Sequence, residues 1–234
     1  MNNNTLLIKL KQRLNKLDSQ DYDNIECWQF VEAFNKAQVE WCRRNLHGGN
    51  MYKEGDELSK RRIDDLQPLL TEHSLTGTTT DTYFESNNFP VGNYLEYKRI
   101  SADGKTECCP ARSMTVYLAE EANVPLILRD PLKNPDFEWG ETFCTMLSNT
   151  IRIYRDTDFT IVNPVLTYYR MPVYIEILNC VDPYTGVVSA VNIPCEFKDD
   201  VTELMLDDTA ALIAGDIENI YQQQRGQAAA ERNN

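Results

Sequence analysis

Histidine is nearly missing from this chain: two in 234 residues, His47 and His73. Neither stands in a Gly-x-Ser-x-Gly, Cys–His or His-x-x-x-His setting, so the commonest general base and metal ligand has no partner pattern. Long apolar runs are missing too. No stretch approaches the roughly 18 residues of a membrane span, and Leu6-Leu7-Ile8 is too short an apolar core for a secretory signal. The expectation is a protein made in the cytoplasm. No glycine-rich phosphate loop or dinucleotide fingerprint occurs. Bases are scarce relative to acids, 23 Lys and Arg against 36 Asp and Glu, a net charge of −13. That excludes a surface built to grip DNA, but not one that surrounds it, because an acidic wall repels phosphate and lets a duplex slide.

Seven cysteines are present, scattered rather than framed. Cys108 and Cys109 are adjacent, and none has metal-ligand spacing with a histidine. Several lie in apolar runs, where a free thiol acts as a small hydrophobe, so all are read as reduced and structural. Carboxylate pairs such as Asp64-Asp65 and Glu120-Glu121 are read as solvated, although a glycosidase-type pair stays open as an alternative. Neither an enzyme nor a cofactor is expected.

What the chain has is helix at both ends. The spacing of Leu7, Leu10, Leu14 and Leu17 predicts a helix over 5–17. A longer one is predicted over 23–46, with Trp28, Val31, Phe34, Gln38 and Trp41 on one stripe and Phe30, Ala33, Ala37 and Val39 widening it. Asp23 or Asn24 would cap it and Gly48-Gly49 stop it. A third is predicted over 56–67, ended or kinked at Pro68. Near the C-terminus, residues 199–221 place Leu206, Ala210, Ile213, Ile217 and Ile220 at seam spacing, with Asp200 and Glu203 as a capping box. Ala210, Ala211, Ala214 and Gly215 would allow close backbone approach. Residues 1–21 lean basic and 196–225 strongly acidic, so the two ends are suited to meet, within one helical body or across a subunit boundary.

Between the helices the texture is β. Strands are predicted in 76–83, around Tyr94, Tyr97 and Ile100, and over 114–118, 150–154, 160–162, 173–178 and 187–193. Hairpin turns are predicted at Ala102-Asp103-Gly104-Lys105 and Asp182-Pro183-Tyr184-Thr185-Gly186, and 119–142 is loop-rich. The expected fold class is α+β: a helical bundle of N-terminal helices and a C-terminal helix, with an inserted antiparallel β domain, sandwich or barrel-like. The expected domains are 1–75 with 195–225, then 76–194, with a polar tail over 226–234. Residues 222–234 have no apolar face, so their order would come from a partner.

Three stretches carry a resemblance. They are Phe34-Asn35-Lys36-Ala37-Gln38 followed by Asp56-Glu57 and Lys60-Arg61-Arg62-Ile63-Asp64-Asp65-Leu66, then Val165-Leu166-Thr167-Tyr168-Tyr169-Arg170-Met171-Pro172, and Pro194 through Ala214-Gly215-Asp216-Ile217-Glu218. Together they resemble head–tail connector proteins of tailed phages, nearest to the ring or adaptor proteins of crAss-like podoviruses. More distantly, they are similar to the tail tubular (gatekeeper) adaptors of short-tailed phages. The resemblance implies a virion protein forming a twelve-fold ring beneath the portal, extending the DNA channel and carrying further tail or ring proteins. It implies no membrane and no specific DNA contact. Subunit or portal contacts would fall on Trp28, Phe34, Trp41, Leu206, Ala210, Ile213, Gly215, Ile217, Ile220, Tyr221 and Arg225. The readings from other classes are a monomeric β-sandwich binding module and an unrecognised hydrolase.

Overall fold

A computed structural model of the chain describes residues 1–15, 25–46 and 64–216. They divide into two compact units, residues 1–68 with 172–234, and residues 69–171. The fold class is α+β, as expected, and the described residues hold three long helices and one large curled sheet.

The helical unit contains α1 (Asn3–Asn15), α2 (Cys27–Leu46) and α3 (Asp199–Asp216). In α1 the buried stripe is Leu6, Leu10 and Leu14, at spacings of four, so Leu6 takes the place expected for Leu7. Leu17, Asp23, Asn24 and Gly48-Gly49 lie outside the described residues. In α2, Phe30, Phe34, Ala37, Trp41 and Cys42 are buried at spacings of four, three, four and one, one continuous apolar face. Trp41 meets Phe197 edge-on, ring centroids 5.5 Å apart. The α3 helix packs against α2 and α1 through Val201, Met205, Leu206, Ala210, Ile213 and Ala214. Thr202 and Thr209 are buried within it, and their hydroxyls donate to the carbonyls of Lys198 (2.9 Å) and Met205 (2.7 Å) one turn back.

The acidic helix meets its bases inside the chain. Glu203 pairs with Lys9 and with Arg13 (2.5 Å), Arg13 also reaches Asp207 (3.1 Å), and Arg44 reaches Asp208 (3.4 Å). The carboxylate of Glu203 therefore points across to α1, and the capping role expected for it is replaced by an interhelical one. Of the predicted third helix, residues 56–63 lie outside the described part. Residues 64–66 are helical, a 3₁₀ turn follows at Gln67–Leu69, and a strand begins at Leu70, so the helical stretch ends around Pro68 as proline requires.

The β unit is a single eight-stranded sheet. Its strands are β1 (Leu70–Ser74), β2 (Gly77–Thr79), β3 (Tyr83–Ser86), β4 (Tyr94–Lys105), β5 (Arg112–Leu118), β6 (Glu141–Leu147), β7 (Thr150–Tyr154) and β8 (Thr160–Arg170), in the order β1-β8-β4-β5-β6-β7-β3-β2. The two edge strands, β1 and β2, are neighbours in sequence, joined only by Leu75 and Thr76. A trans chain advances 3.8 Å per Cα, so the two ends of the sheet lie within about 11 Å of each other, and the sheet must curl. Hydrogen bonding passes across the join: the Leu75 N–H donates to the Pro164 carbonyl (2.8 Å), and the Asn87 N–H donates to that of Thr76 (2.9 Å). The Asn88 side chain clamps the same point, donating to Ser74 O and accepting from Thr76 N. His73 bonds the Asn88 carbonyl at 2.8 Å. Three register shifts along β4 against β8 bend the longest pair. Inside the curl sit Phe84, Ile100, Met114, Ile151, Ile153, Phe159, Ile161 and Leu166.

Three expectations are corrected. The sheet is mixed rather than purely antiparallel, because β5 and β6 run parallel (Thr115 opposite Glu141), and the loop-rich stretch after β5 is the crossover that parallel pairing demands. Asp103-Gly104 lies inside β4, not in a turn. A Cβ at Gly104 would come within 2.9 Å of the Met114 sulfur and 3.2 Å of Phe137, so glycine serves close packing there, and the loop follows at 106–111. Residues 172–194, expected within the β domain, group with the helices, and 173–178 and 187–193 are not strands.

Candidate interaction surface

Residues 173–193 form an irregular hairpin docked on the helices. Its two arms touch through isolated bridges, Glu176 opposite Ile193 and Val181 opposite Val188. Its tip is the expected turn, where the Gly186 N–H donates to the Asp182 carbonyl (2.8 Å) and Gly186 takes a φ of +68°. Scattered backbone bonds join the arms, and a set of side-chain amides adds to them. Asn35 of α2 accepts from the Ile175 N–H (2.9 Å) and donates to the Ile175 carbonyl (3.3 Å). Gln38 donates to the Val173 carbonyl (3.0 Å), and Asn3 of α1 donates to the carbonyls of Glu176 (2.8 Å) and Ile193 (2.7 Å). Backbone groups satisfied this way need no neighbouring strand. A disulfide between Cys27, at the start of α2, and Cys180 fixes the hairpin further. This corrects the reading of every cysteine as reduced. Their 153-residue separation hid the pairing from sequence.

The inner side of the hairpin is anchored by buried Ile175, Ile177 and Cys180. Other apolar side chains of the hairpin are open. Tyr174, Leu178, Val181, Val187, Val188 and Val191 are all exposed, and Tyr184 at the tip is 77% exposed. Soluble surfaces seldom gather so many large apolar side chains in one short segment without a partner. Between hairpin and α2 lies a pocket of about 520 Å³, lined by Trp28, Val31, Glu32, Ile177, Tyr184 and Val187 among others. Trp28 and Tyr184 meet edge-to-face at 6.2 Å and divide this pocket from a second hollow of about 360 Å³ beside Ala33, Leu212 and Ile213. The Trp28 indole N–H is held by Glu26 at 2.6 Å.

Of the contact residues named from sequence, Phe34, Trp41, Leu206, Ala210 and Ile213 are buried within the chain itself, and that packing accounts for them without a neighbour. Trp28 is half-buried at the pocket, and Gly215 is half-buried near the end of α3. Ile217, Ile220, Tyr221 and Arg225 lie outside the described residues. Sequence reasoning missed the exposed apolar side chains of the hairpin. The available signal was Val187-Val188 followed by Val191, apolar on both faces of a supposed strand, more than a strand with one buried face can hide.

In the β unit a second set of exposed apolar side chains runs from the end of β5 onward: Tyr117, Leu126, Leu132 at 89% and Trp139 at 78%. Beside this stretch Arg152 pairs with Glu85 (3.0 Å) and Glu121 (3.9 Å) and covers the Tyr83 ring. One member of the Glu120-Glu121 pair is therefore in an ion pair rather than merely solvated. Asp64 and Asp65 both meet Lys198. The adjacent acids Asp207 and Asp208 have carboxyl groups pushed up by burial, opposed in each case by an arginine, Arg13 or Arg44. Each is held by a different helix, so they do not form a shared proton site. Among the described residues no three His, Cys, Asp or Glu side chains come together as a metal site, and no helix is long and apolar enough to cross a membrane.

A comparison with protein-family models finds no match to this chain, and one with curated proteins finds none either.

Proposed function

We propose that this chain is a virion structural protein, a head–tail connector subunit that closes into a ring beneath the portal, extends the DNA channel and carries the next tail component. The observation that carries the reading is the run of exposed apolar side chains on the 173–193 hairpin, a surface suited to a neighbouring copy. The resemblance supports it from another side. Its Phe34–Gln38 stretch supplies Asn35 and Gln38, the amides that hold the hairpin; its Val165–Pro172 stretch runs from β8 into the hairpin's first arm; and its Pro194–Glu218 stretch contains α3. On this reading α1, α2 and α3 form one bundle, and the hairpin bound to it reaches the next subunit. The net charge of −13 suits a lumen through which DNA passes unheld.

The test is native mass measurement of the full chain, alone and with a portal ring, followed by imaging of the product. A closed oligomer under either condition is expected. The pair Val188→Ser with Val191→Ser should stay monomeric while keeping the wild-type circular dichroism. A wild-type chain that remains monomeric alone and with portal would overturn the ring and favour the monomeric binding module, for which the pocket beside Trp28 is the natural site.

A further inference from the structure

The seven cysteines sort into three environments. Cys27 and Cys180 are bonded to each other. Cys42, Cys144 and Cys195 are buried, and burial pushes each thiol up, Cys144 to about 12, so they are protonated and hidden at neutral pH. Only Cys108 and Cys109 are free and exposed. They sit on the 106–111 loop between β4 and β5, with their sulfurs 2.9 Å apart and Cys108 Sγ 3.5 Å from Thr106 Oγ1. Neither belongs to the core of the β unit.

We propose that Cys108 and Cys109 form a redox-active dithiol that closes to a vicinal disulfide by exchange with low-molecular-weight disulfides. The hydrogen bond from Cys109, then that from Thr106, hold the Cys108 thiol below the ordinary range, which makes it the attacking thiolate. Its sulfur attacks one sulfur of RSSR, forming a Cys108–S–S–R mixed disulfide and expelling RS⁻. The Cys109 sulfur then attacks the Cys108 sulfur, expels the second RS⁻, and gives up its proton to the released thiolate. The balance is two protein thiols and RSSR giving one protein disulfide and two RSH. A small-molecule dithiol reverses it. Adjacency makes the second step intramolecular, so the mixed disulfide should not persist. Burial of the other three thiols directs the exchange to this loop.

The full chain, incubated with oxidised glutathione and measured by intact mass and peptide mapping, tests this. Wild type should lose two hydrogens, keep no glutathione, and map the new bond to Cys108 and Cys109. Cys109→Ser should instead stop as a stable glutathione adduct on Cys108. Phenylarsine oxide, which bridges two thiols with loss of water, should bind wild type at one equivalent and survive excess monothiol, and should do so in neither single variant. The proposal fails if wild type retains glutathione, if the bond maps elsewhere, or if either single variant holds the arsenical as wild type does.

Discussion

A Cβ added at Gly77 would stand 1.9 Å from the carbonyl oxygen of Glu85, whereas one added at Gly92 would meet nothing within 4 Å. The obstacle at Gly77 is backbone, which cannot turn aside, and it lies where the chain passes from one end of the sheet to the other. Gly77→Ala should therefore cost about 3 kcal/mol, the upper range of overpacking, and Gly92→Ala almost nothing. Paired thermal melts check the contrast; equal melting temperatures would mean the crossing is not tight. Charge gives a second expectation at this scale. Burial pushes the Glu203 carboxyl up, but Lys9 and Arg13 outweigh it and hold it below the ordinary range. A carboxylate lowered in the fold adds stability above its unfolded value, and that is lost as pH falls through the folded value. Glu203→Gln should thus cost about 1 kcal/mol at pH 7, and the difference from wild type should shrink as pH falls through the folded value. Asp208 has the opposite sign: its carboxyl is raised, chiefly by burial, so what it adds is greatest when protonated and fades as pH rises. Asp208→Asn should accordingly be mild at pH 7. Denaturant melts at pH 7 and pH 3 separate the two cases.

The hairpin at 173–193 keeps its shape through amides reaching it from helices about 140 residues away in sequence. Asn35→Ala leaves the N–H and the carbonyl of Ile175 without those partners, at a cost of about 2 kcal/mol. Amide exchange at Ile175 should quicken while that of α2 stays slow; unchanged exchange would show that the disulfide alone holds the arm. This is also where sequence was hardest to read. The helices were legible because Leu, Phe and Val recur at helical spacing, and that spacing depends only on neighbours along the chain. Residues 150–154 were legible as β7 for the same reason. The 173–178 stretch looks like a strand because its own residues favour extended backbone. Beyond its backbone bridge from Glu176 to Ile193, its hydrogen-bond partners include side chains of other elements, which no local pattern reveals. Gly104 misleads likewise: Asp-Gly favours a turn in isolation, but Met114 and Phe137 require a missing side chain there. Of the interaction surface, the turn at 182–186 was legible and the exposed apolar side chains were not.

At the scale of the molecule, acidity and exposed apolar side chains coexist. If the surface facing DNA shares the chain's net charge of −13, duplex should be repelled rather than bound. A purified assembly titrated with labelled duplex at low salt should bind more weakly than about 0.1 mM, the loose end of nonspecific association. Tight binding with a steep salt slope would point to a basic stripe and sink the channel reading. The division of the chain bears on when such an assembly can begin. Residues 69–171 form one unit, and the other unit is split around them. During synthesis β8 leaves the ribosome before α3 exists, so the inserted unit is the first able to complete its hydrogen bonding. Until residues 199–216 emerge, α1 and α2 lack the helix they pack against, and until residue 193 the hairpin has no second arm. On the ring reading, a chain that stops early would have no finished face to offer a neighbour, and translation itself would keep incomplete subunits out of the assembly.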